Sequence, residues 1–327
     1  MKAIVQDRYG AVEFGVVDTP VAAANEVLVE VRAASVNAYD WHVMRGDPYL
    51  ARLAMPAVFG LRRPTRKIRG RDFAGLVTAV GGDVTSFRPG DEVFGDLGHA
   101  SGAFAEYVCA PENQVARKPA NLTFEQAAAV PLAANTALMG LRDVAEVHKG
   151  QRVAVNGASG GVGTFAVQLA KSFGAEVTGV CSTRNVELVR GLGADHVVDY
   201  TRHDFTEHRY DVVFDLVANR SLTDLRRALT PAGTLVLSGG GVSNGGSVVG
   251  PMGLLIKSKL VSRFVSQRIC ALTEAPGTAN LATLCDFIES GGVTPAIDRT
   301  YPLSEAAEAI RYVELEHARA KVVLTAQ

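Results

Sequence analysis

The residues best suited to chemistry stand in one glycine-rich turn. Between Gly157 and Gly163 the chain places four glycines in seven residues. Before them runs a short apolar, β-branched stretch, Arg152 to Asn156, which reads as a buried strand. After them Val162, Phe165, Ala166, Leu169 and Ala170 recur at three and four, which is helical spacing. Strand, turn and helix in that order is the setting a dinucleotide fingerprint needs. The form is A-x-G-x-x-G: Ala158 takes the usual first glycine position, followed by Gly160 and Gly163. At Gly160 the missing Cβ lets the backbone approach a pyrophosphate, and at Gly163 it lets the helix pack closely on the strand. The N–H groups of Gly161, Val162 and Gly163, at the positive end of the helix, would hold phosphates, and Ser159 adds a hydroxyl donor. The bland alternative, an ordinary glycine loop, lacks a reason for the flanking strand and helix.

The end of the next strand selects the dinucleotide. Glu176 to Cys181 reads as that strand, and Ser182, Thr183, Arg184 and Asn185 follow. A cofactor with a free ribose 2′-OH usually meets an acid about 20 residues after the fingerprint. Here two hydroxyls and an arginine stand at the strand end instead. Arg184 can pair bidentately with a 2′-phosphate that a carboxylate would repel, so NADPH is expected over NADH. Tyr200, closing the strand His196 to Asp199, could pack beside the same phosphate or be a half-buried tyrosine. The alternative, which can be partly true as well, is that Ser182 caps the next helix and Arg184 is a solvated first-turn residue.

The elements that must position this turn follow from the pattern on either side. The chain has 327 residues, 47% hydrophobic and 20% charged, which suits two globular domains and argues against disorder. A formal net charge of −1 gives no overall bias toward nucleic acid. Runs such as Ala3 to Val5, Glu26 to Ala34, Phe73 to Val80 and Phe104 to Cys109 read as strands of a β-rich first domain with no long helix. A capping box at Thr123–Gln126 opens a helical region that reaches Val147. Strands and helices then alternate: Glu176 to Cys181, a helix from Asn185, His196 to Asp199, Asp211 to Leu216, a helix from Ser221, Gly233 to Ser238. This predicts α/β architecture, with a doubly wound parallel sheet of Rossmann type beside a β-rich, barrel-like domain. Ser238, Gly239 and the glycines through Gly246 follow a strand end and would border the nicotinamide, as a lid or a plain loop. A helix past Met252 precedes a strand-like Arg268 to Thr273, whose edge could pair with a second copy in a homodimer. The last part, from Pro295, reads as a strand, a helix capped by Ser304 and a final strand Lys321 to Thr325 returning to the first domain. No apolar run is long enough for a membrane span. MKAIVQDRYG starts as an alternating strand with no leader-type pattern, and the scattered Cys109, Cys181, Cys270 and Cys285 suit reduced thiols, so a cytoplasmic location is expected.

Seven motifs now line up in order: AASVNAYDW (33–41), GRDFAGLVTAVG (70–81), FRPGDEVFG (87–95), GAFAEYV (102–108), NGASGGVG (156–163), LGADHVVDY (192–200) and HARAKVVL (317–324). Together they span nearly the whole chain. The sequence resembles the medium-chain dehydrogenase/reductase superfamily, and within it the zinc-free quinone oxidoreductase branch near zeta-crystallin and the reticulon-interacting oxidoreductases. The resemblance implies a GroES-like catalytic domain from residues 1–122 and 296–327, a Rossmann domain from 123–295, NADPH in the cleft between them, and commonly a dimer. It also implies that Thr136 lines the nicotinamide and that Lys321, from the family's final G-K motif, lies near the cleft, although here Ala320 replaces the glycine.

In the zinc-dependent relatives a cysteine sits where this chain has Asn37, a histidine where it has Arg71, and a third ligand near Ala133 and Ala134. Catalytic zinc needs three protein ligands from Cys, His, Asp or Glu, and amide, guanidinium and methyl groups cannot serve. The four-cysteine lobe is replaced by DLGHASG at 96–102. No metal is expected, and His42 and His99 read as surface or packing histidines. Without a Lewis acid the favoured acceptors are quinones and α,β-unsaturated carbonyls, whose developing charge conjugation spreads and hydrogen-bond donors meet. Asn37 and Tyr39 are the expected donors, with water or a tyrosine returning the proton. Asp40 fits the family's V-N-x-x-D pattern, as a catalytic group or as one that orients the loop. A competing reading is a non-enzymatic NADPH-binding protein, crystallin-like or nucleic-acid-binding, and a weaker one is an NADP-dependent alcohol dehydrogenase. The basic run Leu61 to Asp72, LRRPTRKIRGRD, reads first as a solvated loop. An anionic acceptor, an acyl carrier or RNA are weaker alternatives, and no interleaved aromatics suggest base stacking.

Overall fold

The structure is a computed structural model that describes residues 1–239, 247–248, 250, 252–273, 276–316 and 318–326. The expected loop at 240–246 and His317 of the last motif lie outside the described residues.

Two large sheets carry the described residues. The first holds β3 (Glu26–Val36), β4 (Asp72–Val80), β5 (Glu92–Asp96), β6 (Tyr107–Pro111) and β7 (Val115–Arg117), preceded by a small antiparallel pair, β1 (Lys2–Val5) and β2 (Glu13–Val16). β3 alternates buried and half-buried positions until its last four residues, which are all buried. That is the pattern of a strand that leaves a half-solvated face and enters a covered region. Three short helices interrupt this half: α1 (Ala38–Arg45), α2 (Tyr49–Ala54) and α3 (Pro56–Phe59). The strand expected at Phe104 to Cys109 begins at Tyr107 instead, and Ala105 makes only an isolated bridge to Ala3.

The capping box at Thr123 forms as expected, with Gln126 N–H donating to the Thr123 hydroxyl and Thr123 N–H to the Gln126 side chain. The helical region is not continuous. It divides into α4 (Phe124–Ala128), α5 (Pro131–Leu138) and a wide turn at Met139–Val144. Pro131 cannot donate a backbone hydrogen bond into a preceding turn, so it opens a new helix.

The second sheet contains β8 (Arg152–Asn156), β9 (Glu176–Cys181), β10 (His196–Asp199), β11 (Tyr210–Asp215), β12 (Leu229–Leu237) and β13 (Arg268–Ala271), with order β10-β9-β8-β11-β12-β13 and every pair parallel. This is the doubly wound Rossmann order, whose direction reverses between β8 and β11. The crossovers are α6 (Gly161–Ser172), α7 (Val186–Gly191), α8 (Leu222–Arg227) and α9 (Met252–Val261). The helix expected at Asn185 starts one residue later, after a tight turn at Thr183–Asn185, whereas Ser221 caps α8 through Asp224 N–H. β13 is an edge strand.

After α10 (Thr278–Glu289), β14 (Ile297–Pro302), α11 (Ala306–Leu315) and β15 (Lys321–Thr325) complete the first sheet in the order β14-β15-β3-β4-β5-β7. Ser304 does not cap α11. It lies inside a tight turn, Leu303–Glu305, and Glu305 occupies the cap position. Phe94, Phe165 and Phe214 in the main core and Phe73 and Phe104 in the core of the first sheet are fully buried, each contributing about 1.5–3 kcal/mol from surface removed from water.

Candidate active site

Register in the first sheet assembles a row of polar side chains. Ser35 stands opposite Asp72 and Val323, and Asp72 stands opposite Asp96. Asn37 just past the end of β3, Asp72 at the start of β4, Asp96 at the end of β5 and Lys321 at the start of β15 therefore share one edge of the sheet. All four are buried. Asn37 Nδ2 donates to Asp72 Oδ2 at 3.0 Å and to the Ser35 carbonyl at 3.4 Å. Lys321 Nζ donates to Asn37 Oδ1 and lies 3.8 Å from Asp72 Oδ2. Ser35 Oγ donates to the same Asp72 oxygen at 3.0 Å, and Leu132 N–H to the other at 3.1 Å. Burial pushes the Asp72 carboxyl up to about 6, although Lys321 opposes the rise, and burial pushes the Lys321 ammonium down.

α1 brings two further groups to this edge. Asp40 reaches back to the Asn37 N–H at 2.7 Å, fixing the first turn of the helix. Desolvation raises its carboxyl to about 7. Tyr39 is half-buried, its ring lies under the Arg71 guanidinium at 4.8 Å, and its hydroxyl meets His99 Nδ1 at 3.0 Å. Burial raises the phenol to about 12, so it is a proton carrier and not an anion near neutrality. Burial, and then the charge of Arg71, lower the pKa of exposed His99. A bidentate pair from Arg45 to Glu314, 3.0 Å at each bond, ties α1 to α11.

The glycine turn faces this row. Ala320 N–H donates to the Ser159 carbonyl at 2.7 Å, and Ala320 bridges Gly160. A Cβ built on Gly161 would stand 3.1 Å from Lys321 Cδ, so the lysine stem crosses the turn on its way to Asn37. Gly163 behaves as the fingerprint demands: a Cβ there would sit 2.1 Å from the Gly157 carbonyl oxygen. At Gly160 a Cβ would meet nothing in the protein closer than 3.4 Å, which leaves open space on the side a pyrophosphate would approach. Ala158 is buried and donates to Val180, and the positive φ of the turn falls on Gly157, at 91°. That explains why alanine is tolerated at the first fingerprint position. Val162 packs against the main core.

At the end of β9, Asn185 Nδ2 donates to Ser159 Oγ at 3.0 Å and to Ser182 Oγ at 3.2 Å. Both hydroxyls accept there, so their own protons remain available. Thr183 instead donates to Asp199 Oδ2 at 2.6 Å. Arg184 donates to the Glu316 carbonyl at 3.3 Å, and Tyr200 is half exposed. Thr136 donates to the Leu132 carbonyl at 2.7 Å, one turn from the N–H that holds Asp72. Ser238 N–H donates to the Asp215 carbonyl, and Gly239 follows with φ 66°.

Three groups at the site escape sequence reasoning. Asn185 has the pattern of a helix start, yet it joins the two serines and keeps a buried Oδ1 without a partner. Asn156 and Asp215, opposite each other at the switch point, are joined at 2.8 Å, and burial raises the Asp215 carboxyl. An asparagine ending a strand before the glycines is the available signal. His99 is exposed, in keeping with a surface histidine, and what the sequence does not show is its contact with Tyr39. The basic run is also corrected: Arg62, Arg63, Arg66 and Lys67 are exposed, but Arg69 and Arg71 are buried. Arg71 pairs bidentately with Asp96 at 2.9 and 2.5 Å. His42 Nδ1 donates to the Asp47 carbonyl at 2.9 Å, and its ring stacks on Trp41.

A Rossmann sheet whose phosphate turn is bridged by a strand of a second, GroES-like sheet defines a nucleotide-dependent dehydrogenase class. Residues 23–120 match the alcohol dehydrogenase GroES-like domain, and residues 192–324 match a family described as zinc-binding dehydrogenase. The chain is 35% identical over 328 residues to the mouse mitochondrial NAD(P)H oxidoreductase RTN4IP1, covering 92% of this chain and 81% of that one. It is 33% identical to the chloroplastic NADPH-dependent alkenal/one oxidoreductase of Arabidopsis thaliana, over 99% of this chain and 79% of that one. The solved quinone oxidoreductase of Coxiella burnetii superposes with a TM-score of 0.84 at 30% identity, covering 100% and 99% of the two chains. The chain belongs to the medium-chain dehydrogenase/reductase superfamily.

The zinc that one family description implies does not fit these residues. The matching edge presents an amide, a guanidinium already bound to Asp96 and an ammonium, and among the described residues no three His, Cys, Asp or Glu side chains are grouped to hold a metal. Also among the described residues, no helix is long and apolar enough to cross a membrane, and all four cysteines are unpaired.

Proposed function

We propose that this protein is a zinc-independent oxidoreductase that transfers a hydride from NADPH to a quinone or an α,β-unsaturated carbonyl compound. The observation that carries this reading is the buried row Lys321, Asn37 and Asp72 set against the Gly160–Gly163 turn. A positive charge and oriented dipoles occupy the place where related enzymes would hold a metal. The domain limits in this reading are 1–122 with 296–327 for the GroES-like catalytic part and 123–295 for the Rossmann part. A homodimer through the free edge of β13 and a cytoplasmic, reducing location belong to it too.

The cofactor fits the turn. Phosphate oxygens would meet the N–H groups of Gly161, Val162 and Gly163 and the protons left on Ser159 and Ser182, while Arg184 and Tyr200 border the 2′-phosphate. Thr136, Ala158, Ser238, Gly239 and Lys321 line the rest of the crevice in this reading. When bound, the nicotinamide supplies the hydride at its C4. Both polar atoms of the Asn37 amide are engaged inside the row, so it acts as a positioning residue, with Asp40 beside it. Tyr39 is the catalytic donor: its hydroxyl gives the proton that the reduced acceptor requires, and His99 restores that proton from solvent. Lys321 contributes positive potential toward the developing enolate or phenolate oxygen.

The test is loss of the reduced-nicotinamide absorbance on mixing enzyme, NADPH and a panel of acceptors. Quinones and enones should be turned over, saturated aldehydes should not, and chelators should leave rates unchanged. NADPH should exceed NADH in kcat/KM by at least tenfold, about 1.4 kcal/mol. Tight NADPH binding with no turnover of any acceptor would leave only a non-enzymatic binding protein.

A further inference from the structure

We propose that Leu53 to Lys67 forms a docking surface for an anionic lipid bilayer, from which the protein draws an apolar acceptor. The second clause rests on the reading above; the first does not. Across residues 48–71 there are seven cations and no carboxylate, in a chain whose formal charge is −1. Arg62, Arg63, Arg66 and Lys67 are all exposed, and among the described residues none of them forms an ion pair. The same segment exposes large apolar side chains: Leu53 by 70%, Leu61 by 58% and Met55 by 44%.

The fold makes these groups one ledge. Tyr9 donates to the carbonyls of Phe59 and Gly60 at 2.6 and 2.9 Å, and Thr65 Oγ1 donates to the Val58 carbonyl at 2.8 Å. The basic loop is thereby folded back against α3. Val43, Ala51 and Phe59 form a small core of their own, joining α2 and α3 to α1, the helix that carries Tyr39. The ledge thus sits on the element that also reaches the site.

Isolated exposed leucines need no explanation, but several of them beside unpaired cations match the composition of surfaces that enter lipid headgroups. The cations attract anionic headgroups and the apolar side chains reach the acyl boundary. A nucleic acid would use the cations but has no need of Leu53 or Leu61. Within the ledge the one aromatic ring, Phe59, is buried, and exposed Tyr49 just before it is covered by Arg52 at 4.9 Å, so neither is placed for base stacking.

The full chain should co-sediment with vesicles of phosphatidylcholine mixed with phosphatidylglycerol, and not with phosphatidylcholine alone. Replacing Arg62, Arg63, Arg66 and Lys67 by Gln should weaken that partitioning by about a hundredfold or more. Leu53→Ser with Leu61→Ser should weaken it by about tenfold or more. Both variants should keep wild-type turnover of a short, water-soluble quinone. Failure to bind the mixed vesicles, or binding that survives the charge replacement, overturns the docking surface. So does a leucine variant that binds vesicles like the wild type while the charge variant loses both vesicles and polyuridylate, because that assigns the ledge to nucleic acid. Vesicle binding without turnover of any quinone or enone would sustain the surface and sink the proposed activity instead.

Discussion

The two walls of the crevice are built in different ways. The glycine turn is made of backbone, from consecutive residues 157–163, and its conformation follows from where a Cβ cannot fit. The facing row is made of side chains from four strand ends, Asn37, Asp72, Asp96 and Lys321, separated by up to 284 residues along the chain. The turn can form as soon as one strand and one helix meet. The row exists only when β15, β3, β4 and β5 pair in the right register, since a slip of one residue would turn each side chain to the other face. Local chemistry holds the phosphate wall, and long-range pairing holds the reacting wall.

Removing the charge that completes the row should show the largest effect. Lys321 and Asp72 are both almost fully buried. Lys321→Met leaves Asp72 uncompensated in the interior, a change that costs about 3–5 kcal/mol when the remaining partner stays ionised. Asp72 has an escape, because burial already raises its carboxyl to about 6 and losing Lys321 would raise it further. The loss in thermal unfolding temperature should therefore be large at pH 8 and shrink as pH falls toward 5. Turnover should fall by more than about tenfold while α6 and its turn stay folded, a separation visible in circular dichroism. A uniform loss of stability at every pH would mean that the row is held by packing and not by charge.

Two buried carboxyls, Asp72 in the row and Asp40 beside it, also set a pH dependence for the unmodified protein. Asp40 is raised to about 7 and Asp72 to about 6, both above their unfolded values near 4. Between pH 4 and pH 7 the folded state then holds more protons than the unfolded state, so stability falls as pH rises through that window. Each tenfold gain in proton affinity on folding is worth about 1.4 kcal/mol. Asp40→Asn keeps an acceptor for the Asn37 N–H and removes the ionisation. Its unfolding midpoint should be flatter over the window and higher than wild type at pH 8. An unchanged slope would remove Asp40 from the account.

The same contrast explains what could be read in the sequence. Strands β8, β9 and β10 and the start of α6 are legible to the residue, because each is an apolar run bounded by turn chemistry. The Asn37, Tyr39 and Asp40 segment is found by resemblance, and nothing local shows that the Asn37 amide would be spent on Lys321 and Asp72. The basic run misleads for the same reason. Arg69 and Arg71 look like their neighbours in sequence, and only the opposition of Asp72 and Asp96 across β4 and β5 draws Arg71 inward. Ser304 fails as a cap because the chain makes one tight turn before the helix, a choice that Pro302 and the docking of Leu303 impose from outside the local pattern.

The smallest effect lies where the two walls touch. Ala320 has φ 49°, in the left-handed region that L-residues adopt at a cost of about 1–2 kcal/mol. It is held there by its N–H bond to the Ser159 carbonyl and its bridge to Gly160. Ala320→Gly removes that strain but adds about 0.5–1 kcal/mol of unfolded-chain entropy, so the net change should be between zero and about 1.5 kcal/mol of stabilisation. Ala320→Val cannot relax in this way and should lose about 2 kcal/mol, with weaker NADPH binding because the strain is passed to the Ser159–Gly160 backbone. Thermal unfolding and a fluorescence titration with NADPH measure the pair. If glycine destabilised the protein by as much as valine, the bridge between the strand and the turn would owe its geometry to the alanine methyl and not to the backbone bond.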